Sequence, residues 1–335
     1  MKEKDISERK KEHIELALGS QLSDWANDKR FYYEPLMGAH PDKASHSVSF
    51  FGKEMAFPLW VSSMTGGTKE ALQINENLAR ACNEFGLGMG LGSCRPLLED
   101  PKKYLKDFAL REVIGKSQLL YANLGIAQLE KSIAKNELNK VEDMVGVLDA
   151  DGLIIHINPL QEWIQPEGDR ILQPPIQTIE HFIKKSDLPL IVKEVGQGMG
   201  PDSLRRLMAL PVVIEFGAFG GTNFSQLEIA RREDNENGGM GPLAHIGHNM
   251  EEMLLYFNKN KKEMKNVSCK GVILSGGMKS FLDGYYAISK LDHPAVYGQA
   301  SALLSHARRS YESLAGFVQS QVDGYGIARE LLRIR

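Results

Sequence analysis

The sequence predicts an α/β protein with a (β/α)₈ barrel, and three observations lead to that fold class. Eight short apolar segments recur along the 335 residues, glycine or polar residues follow them, and amphipathic stretches separate them. Strands that alternate with helices favour right-handed βαβ crossovers and a parallel sheet. Eight such units in a chain of this length favour a closed barrel. A doubly wound open sheet is the alternative, but no G-x-G-x-x-G motif opens the first unit.

The eight predicted strands are short apolar runs, as expected of strands that are buried on both faces. They are Pro58–Ser63, Gly86–Ser93, Gln118–Gly125, Gly152–Pro159, Pro189–Val195, Val212–Ala218, Gly271–Gly277 and Ala295–Ser301. The intervening stretches carry apolar residues at helical spacing. They include Glu70–Glu84, Ile126–Leu138, Gln177–Lys185 and Pro201–Ala209.

The fourth predicted strand carries the densest polar group. Its apolar run leads directly into His156, Asn158, Gln161 and Glu162, and Pro159 ends the strand because proline cannot donate to a ladder. The carboxyl ends of the strands are where α/β barrels keep their chemistry. A strand end with an ordinary polar turn is the alternative interpretation.

The N-terminal 51 residues are predicted to precede the barrel. Ser7–Leu18 is polar and helical, and Asn27–Phe51 has sparse periodicity and is predicted to be irregular. The helix is either a solvated charged face or an arm over a binding site. We therefore expect one domain over residues 1–335, with the arm and irregular segment in 1–51 and the barrel in 52–335.

Two further segments lie outside the repeat. A polar insertion, Arg231–His248, follows the sixth predicted strand and is either a lid or a loop without function. Leu303–Arg335 has helical spacing and is predicted to close the outer ring of helices.

Composition and charge exclude several classes of protein. The chain has 42% hydrophobic residues, 25% charged residues and a formal net charge of −3, so it lacks the basic face of a nucleic-acid-binding protein. No apolar run approaches the roughly 18 residues of a membrane span, and the charged N-terminus lacks the apolar core of a signal peptide. Cys82, Cys94 and Cys269 lack metal-ligand spacing and are expected to be reduced packing residues. We expect a cytoplasmic protein.

The strand ends favour FMN as a cofactor. In α/β barrels the loops after the seventh and eighth strands commonly hold a phosphate with backbone amides, and here both are rich in glycine and serine. Lys193, late in the fifth predicted strand, is poorly explained by structure alone because burying an unpaired ammonium is costly. It would place a cation near the pyrimidine edge of a flavin ring, over the first three strand ends.

The remaining charges suggest a small anionic substrate. Five side chains are cationic or can become so, and they are Arg9, Lys10, His13, Arg95 and His156. Glu162 and Glu228 are carboxylates that could hold Mg²⁺, which bridges diphosphate oxygens well. The alternative is that each glutamate is solvated or paired with a basic residue.

Taken in order, these motifs resemble the type 2, FMN-dependent isopentenyl-diphosphate isomerases over almost the whole chain. The most specific match is H-I-N-P-L-Q-E-W-I-Q-P-E-G-D, His156–Asp169. The supporting matches are R-K-K-E-H-I (Arg9–Ile14), S-M-T-G-G (Ser63–Gly67), G-S-C-R (Gly92–Arg95), K-E-V-G-Q-G (Lys193–Gly198), G-G-T-N-F (Gly220–Phe224) and S-G-G-M (Ser275–Met278). The chain departs from the family pattern at Glu215-Phe216, at Phe281 and in the eighth strand end.

The resemblance implies roles for individual residues. The FMN site would contain Thr65, Gly66, Gly67, Ser93, Asn123, Lys193, Thr222, Gly276, Gly277, Ala300 and Ser301. The diphosphate would be held by Arg9, Lys10, His13, Arg95, His156 and Asn158, with Gln161 beside the reacting alkene and Glu162 as the Mg²⁺ ligand. The resemblance also implies reduced FMN, NADPH as its reductant, a diphosphate substrate and a homo-oligomer, either a tetramer or an octamer.

The implied reaction moves a double bond, so a proton is added at one carbon and removed at another. Gln161 is expected to position or relay protons, with reduced flavin as the acid–base group. Two alternatives remain open. One is an FMN-dependent oxidoreductase acting on a hydroxy acid or dihydroorotate, which would need a dedicated base that Gln161 does not supply. The other is a non-enzymatic barrel that binds phosphate or flavin.

Overall fold

The computed structural model describes residues 6–41, 46–64, 69–231 and 239–335, and it confirms the predicted closed barrel. Eight parallel strands, β4 to β11, close the barrel in the order β10-β11-β4-β5-β6-β7-β8-β9. The strands of the described residues are β1 (Phe31–Tyr33), β2 (Val48–Phe50), β3 (Lys53–Met55), β4 (Leu59–Val61), β5 (Gly88–Gly90), β6 (Leu120–Gly125), β7 (Gly152–Ile157), β8 (Leu190–Glu194), β9 (Val213–Glu215), β10 (Gly271–Ser275), β11 (Ala295–Gln299) and β12 (Leu332–Ile334). Each barrel strand lies within one of the eight predicted strands.

Helices surround this barrel. They are α1 (Ile6–Ala17), α2 (Lys69–Phe85), α3 (Arg95–Glu99), α4 (Pro101–Tyr104), α5 (Arg111–Ile114), α6 (Ile126–Ala134), α7 (Leu138–Val147), α8 (Pro159–Ile164), α9 (Pro175–Ile183), α10 (Pro201–Met208), α11 (Phe224–Arg231), α12 (Met250–Glu263), α13 (Phe281–Lys290), α14 (Ser301–Ala307) and α15 (Tyr311–Leu331). The predicted N-terminal helix is confirmed as α1. Pro159 is the first residue of α8, where a missing amide hydrogen has no cost.

The lower half of the barrel interior is apolar. Its buried core consists of Trp60, Tyr121, Ile154, Ile191, Val213, Ile273 and Val296 from the strands, with Leu119, Phe50 and Met55 beside them. Gly88 lies against the Trp60 ring, where a Cβ would come within 2.4 Å of the indole. The barrel floor is therefore packed with side chains and is closed to ligands.

A hairpin closes the bottom of the barrel. Strands β2 and β3 pair antiparallel through a turn at Phe51 and Gly52, which both have positive φ (52° and 84°), as a two-residue hairpin turn requires. Phe50 and Met55 join the interior core, and the Phe51 ring stacks on Tyr121 with centroids 5.3 Å apart. The hairpin therefore shields the apolar interior from water.

One prediction about the chain ends is wrong, and another is confirmed over most of its length. Residues Asn27–Phe51, predicted to be irregular, contain β1 and β2, whereas the predicted helical segment Leu303–Arg335 contains α15 and most of α14 and ends in β12. Strands β1 and β12 pair antiparallel, with Phe31 opposite Ile334. The sequence did not predict these two strands because the paired residues lie almost a whole chain length apart. Strands of three residues are also too short to show the alternation of apolar and polar residues.

The cysteine prediction is confirmed, since Cys82, Cys94 and Cys269 are free and buried. Burial raises the pKa of the Cys94 thiol to about 12 and that of Cys269 to about 11. Among the described residues, no helix combines the length and the apolar character that crossing a membrane requires.

Candidate active site

A layer of polar side chains lies directly above the apolar interior of the barrel. Neighbouring strands place His156 beside Lys193, and Lys193 beside Glu215. Because side chains alternate along a strand, each of these stands two residues after an apolar interior residue and points the same way. The layer consists of Ser62, Asn123, His156, Lys193, Glu215 and Ser275, with Gly90 and Gly298 on the two remaining strands.

A cavity of about 270 Å³ opens above this layer at the carboxyl ends of the strands. Its wall is formed by the first, fifth, sixth, seventh and eighth strand ends and by α11. The lining residues include Ser62, Ser63, Met64, Lys193, Val195, Gly196, Glu215, Gly217, Ala218, Gly220, Gly221, Thr222, Leu227, Ser275, Gly276, Gly277, Met278, Gly298, Ala300 and Ser301. Six predicted cofactor residues lie here: Lys193, Thr222, Gly276, Gly277, Ala300 and Ser301.

Glycines bring the sixth and seventh strand ends into backbone contact. Gly276 has φ +97°, and a Cβ there would lie 2.1 Å from the carbonyl oxygen of Ala218. A Cβ on Gly221 would lie 3.0 Å from the backbone nitrogen of Gly277. In the part of the chain that the structure describes, the amides of Gly220, Gly221, Gly276 and Gly277 donate no hydrogen bond to the protein. Such clustered free amides suit an anion.

Lys193 is buried, and its Nζ donates a 3.0 Å hydrogen bond to the carbonyl oxygen of Glu194. The neighbouring Glu194 side chain accepts hydrogen bonds from three successive backbone amides, those of Gly196, Gln197 and Gly198, at 2.6 to 2.8 Å. These bonds fix the loop that follows β8. The ammonium is therefore held at the cavity wall by a rigid turn.

Glu215 is a cavity residue that the sequence reasoning treated only as a departure from the family pattern. Its side chain is fully buried, and the hydroxyls of Ser62 and Ser275 lie beside the carboxylate, although neither carboxylate oxygen makes a hydrogen bond of normal geometry among the described residues. Burial raises the pKa of Glu215, against the opposing effect of the Lys193 ammonium. The sequence could have identified Glu215 as a cavity residue, because it follows Val213 by two residues just as Lys193 follows Ile191, and both side chains therefore face the barrel interior.

A second polar cluster lies on α8 and α11, next to the cavity. The Gln161 side chain donates from Nε2 to Oε1 of Glu228 (3.0 Å), and its Oε1 accepts from Nδ2 of Asn158 (3.1 Å). Asn158 also donates to Oε1 of Glu162, and Arg231 donates to Oε2 of Glu228 at 2.6 Å. The orientation of the Gln161 amide is therefore fixed from both ends. The two sites meet at α11, where Leu227 lines the cavity and Glu228 bonds Gln161.

Asp169 connects Arg95 to this cluster and was not among the predicted site residues. Its carboxylate forms an ion pair with Nη1 of Arg95 at 3.2 Å and accepts hydrogen bonds from Gln128 and Lys131. Its backbone amide donates to Oε2 of Glu162 at 2.6 Å. Asp169 therefore positions both a predicted substrate residue and the predicted metal ligand. No group of three or more His, Cys, Asp or Glu side chains that could hold a metal ion occurs among the described residues.

His156 was predicted to be cationic or able to become so, and its position in the structure favours the neutral form. Burial, together with the nearby Lys193 ammonium, lowers the pKa of His156 to about 3. Its Nδ1 lies 2.8 Å from Oδ1 of Asn123, whose Nδ2 donates to the carbonyl oxygen of Leu91. The oxygen must accept, so Nδ1 carries the proton and Nε2 keeps a lone pair.

The neutral state of His156 predicts acid sensitivity. Because its pKa is below that of an unfolded histidine, about 6.5, the unfolded chain binds more protons between about pH 6.5 and pH 3. This contribution to stability is complete above about pH 6.5 and is lost as the pH falls toward 3. We expect the free energy of unfolding in urea to fall by about 1–3 kcal/mol more in the parent than in His156→Gln over this range. The exposed His181→Gln is the control, and parallel curves for His156→Gln and the parent would contradict the assignment.

Some predicted site residues are not brought to this site. Arg9, Lys10 and His13 lie on α1, which has no buried residue, and all three are exposed. Ser93 is exposed and does not line the cavity. Thr65, Gly66 and Gly67 lie outside the described residues, next to the cavity residues Ser63 and Met64.

The predicted polar insertion is described in part. Residues 232–238 lie outside the described chain, whereas residues 239–248 include a 3₁₀ turn, Gly241–His245. The Gln197 side chain donates to the carbonyl oxygens of Leu243 and Ile246, and Asn223 donates to that of Ala244. This part of the insertion is therefore tied to the fifth and sixth strand ends.

No protein-family model matched the chain, but proteins named isopentenyl-diphosphate delta-isomerase match most of its length. The protein from Rickettsia canadensis is 36% identical over 311 residues, which cover 91% of this chain and 87% of the relative. The protein from Rickettsia prowazekii is 34% identical over 306 residues (90% and 86%). The protein from Synechocystis sp. is 31% identical over 327 residues (96% and 90%). The chain belongs to the isopentenyl-diphosphate delta-isomerase family.

Solved structures share the barrel at much lower identity. The recombinant flavin-binding domain of baker's yeast flavocytochrome b2 aligns with a TM-score of 0.59 and 14% identity, covering 90% of this chain and 72% of that one. A mandelate oxidase variant with (S)-mandelic acid aligns with a TM-score of 0.55 and 14% identity (92% and 87%). These likenesses show the (β/α)₈ fold, and family membership rests on the sequence relatives.

Proposed function

We propose that the protein converts isopentenyl diphosphate to dimethylallyl diphosphate, using reduced FMN and Mg²⁺. The observation that carries this proposal is the match of 31–36% identity to isomerases over at least nine-tenths of the chain. The family resemblance noted in the motifs points the same way.

The cavity residues fit FMN. Free amides of the sixth and seventh strand ends suit a phosphate, and the approach of glycine backbones leaves room that a Cβ would fill. Unpartnered hydroxyl oxygens of Ser62 and Ser63 lie buried at the same cavity, as hydrogen-bond partners for a polar ring would. Lys193 would hold the pyrimidine edge. When bound and reduced, FMN supplies an electron-rich ring with an exchangeable proton.

The residues of the chain provide orientation and charge for this chemistry. Glu228 holds Nε2 of Gln161, so the amide presents a fixed edge next to the cavity. An amide is a weak base, and Gln161 therefore positions the alkene or relays a proton without itself storing one. The floor of the cavity is buried, and a ring bound over it would shield that floor from water, which would strengthen the electrostatic stabilisation of a developing positive charge.

The diphosphate end of the substrate would be held beside α8. Arg95 would supply donors, and Glu162 would bind Mg²⁺ together with diphosphate oxygens, because Mg²⁺ prefers carboxylate and phosphate ligands. Asn158, whose Nδ2 donates to both Gln161 and Glu162, would have to exchange one of these bonds to donate to the diphosphate. A diphosphate near His156 would raise its pKa and favour the charged form. Arg9, Lys10 and His13 stay predicted substrate residues that would require α1 to approach the site.

The phosphate site can be tested with Gly221→Ala. Its Cβ would crowd the amide of Gly277 at 3.0 Å, while the backbone of Gly221 avoids the left-handed region that disfavours alanine. We expect FMN to bind about tenfold or more weakly, with the free energy of unfolding of the apoprotein changed by less than about 1 kcal/mol. Gly146→Ala, on α7 with no atom within 4 Å, is the control. Unchanged flavin affinity in Gly221→Ala would contradict this placement of the phosphate.

The activity itself is tested with purified protein, isopentenyl diphosphate, FMN and Mg²⁺, with either NADPH or dithionite as reductant. Formation of dimethylallyl diphosphate only under reducing conditions is the expected result. Bound, reducible FMN without isomerisation would instead favour the oxidoreductase alternative. NADPH as the reductant in the cell, assembly into a tetramer or octamer, and a cytoplasmic location stay predictions.

A further inference from the structure

Glu215 is a buried carboxyl group in the cavity that has no role in the reaction described above. It lines the cavity with 0% of its surface exposed, and neither carboxylate oxygen makes a hydrogen bond of normal geometry among the described residues. A carboxylate without partners is strongly destabilised in a buried position. Glu215 must therefore be compensated by a proton, by a nearby cation or by a bound ligand.

The groups that face Glu215 supply one positive charge. Lys193 on β8 is its neighbour in register, and Ser275 on β10 and Ser62 after β4 offer hydroxyls. His156 lies one strand further along and is neutral. The adjacent Glu194 is bound to the loop amides and is not among the cavity-lining residues. In the described part of the chain Lys193 and Glu215 form no direct ion pair, and the Lys193 ammonium donates instead to the Glu194 carbonyl.

This arrangement cannot neutralise two negative charges at once. With Glu215 ionised, the Lys193 charge is already balanced, and a flavin ring that gains negative charge on reduction would add an uncompensated charge to the cavity. With Glu215 protonated, the ammonium is left to compensate the reduced ring. The two charge states of the ring therefore favour opposite protonation states of Glu215.

We propose that Glu215 takes up a proton when a flavin in this cavity is reduced and releases it on oxidation. This inference rests on the proposed function, which places FMN beside Lys193. The balance is two electrons from the reductant and one proton for the ring, plus one proton from solvent on the Glu215 carboxylate. Burial raises the pKa of Glu215 and Lys193 lowers it, so the carboxyl is poised to respond to a change of charge beside it.

The test is the pH dependence of the reduction potential of bound FMN, measured with dithionite and a reference dye in the parent and in Glu215→Gln. The parent is expected to take up one more proton per flavin than Glu215→Gln, so its reduction equilibrium changes by about an extra tenfold per pH unit. Glu215→Asp keeps a titrating group and is expected to restore the extra proton. Glu263→Gln, which removes an exposed carboxylate on α12 that pairs with Arg205 and does not line the cavity, is expected to keep it.

Three readouts, namely proton uptake, FMN binding and the absorption spectrum, separate the possible failures. Equal proton uptake by the parent and Glu215→Gln, with FMN bound in both, would overturn the inference and leave the proposed function intact. Absence of FMN binding by the parent would overturn the proposed function itself. The absorption spectrum of the reduced protein locates the proton, since neutral and anionic reduced rings absorb differently. If the spectra showed that the extra proton of the parent lies on the flavin ring, with a neutral reduced ring in the parent and an anionic one in Glu215→Gln, the inference would also be overturned.

Discussion

Gln161→Ala lowers kcat for isomerisation by about 10²–10³-fold and changes the affinity for FMN little, because a group that positions or transfers a proton acts mainly in the transition state. Gln161 lies on α8, outside the cavity lining, and its amide is held by Asn158 and Glu228. The measurement is steady-state turnover with reduced FMN. Gln226→Ala, an exposed glutamine on α11, is the matched control.

Two related variants test whether the position of the Gln161 amide, and not only the presence of an amide, is needed for turnover. Gln161→Asn keeps the amide but withdraws it by one methylene, so it should also lose most of its turnover. Glu228→Gln removes the acceptor charge that orients Nε2, and a smaller loss in kcat is expected. Full turnover in Gln161→Asn would contradict the assigned role of Gln161.

Glu162→Gln abolishes the stimulation by Mg²⁺ and lowers kcat/KM by about 10²–10³-fold, since a neutral amide is a poor Mg²⁺ ligand. The substitution nearly preserves shape, although one of the two donors to the carboxylate, Asn158 Nδ2 or the Asp169 amide, loses its acceptor. That loss costs about 1–3 kcal/mol of stability, so unfolding curves accompany the kinetics.

The control for Glu162 is Glu167→Gln, on the same loop region. Glu167 is exposed and pairs with Arg231, so its substitution should leave the response to Mg²⁺ unchanged. Turnover of Glu162→Gln with the same Mg²⁺ dependence as the parent would mean that the metal is bound elsewhere or is not used.

The barrel was predictable because its strands are local signals. Runs such as Leu153-Ile154-Ile155 identify a buried strand within six residues, and several of the loops that follow the strands, such as Gly196–Gly198 and Gly276-Gly277, carry glycine where the backbone must turn. Strands β1 and β12 were missed because their pairing is set only by the folded barrel, which brings residues 31–33 and 332–334 together. No local pattern carries that information.

The candidate site also has features that local sequence predicts and features that depend on the folded structure. Lys193 was predicted because a lysine in an apolar strand is anomalous in sequence, and the structure places it at the cavity. The neutral state of His156 and the network around Asp169 depend on burial and on partners from other elements. Glu215 combines the two cases. Its alternation with Val213 was visible in the sequence, but the absence of hydrogen bonds of normal geometry to its carboxylate among the described residues was not.

The ratio of dimethylallyl diphosphate formed to NADPH oxidised, followed in one reaction, tests the central claim most directly. Isomerisation leaves the substrate without net oxidation or reduction, so the account predicts many turnovers for each NADPH consumed, with no product when the flavin stays oxidised. Stoichiometric consumption of NADPH, or isomerisation at the same rate with oxidised FMN, would contradict it.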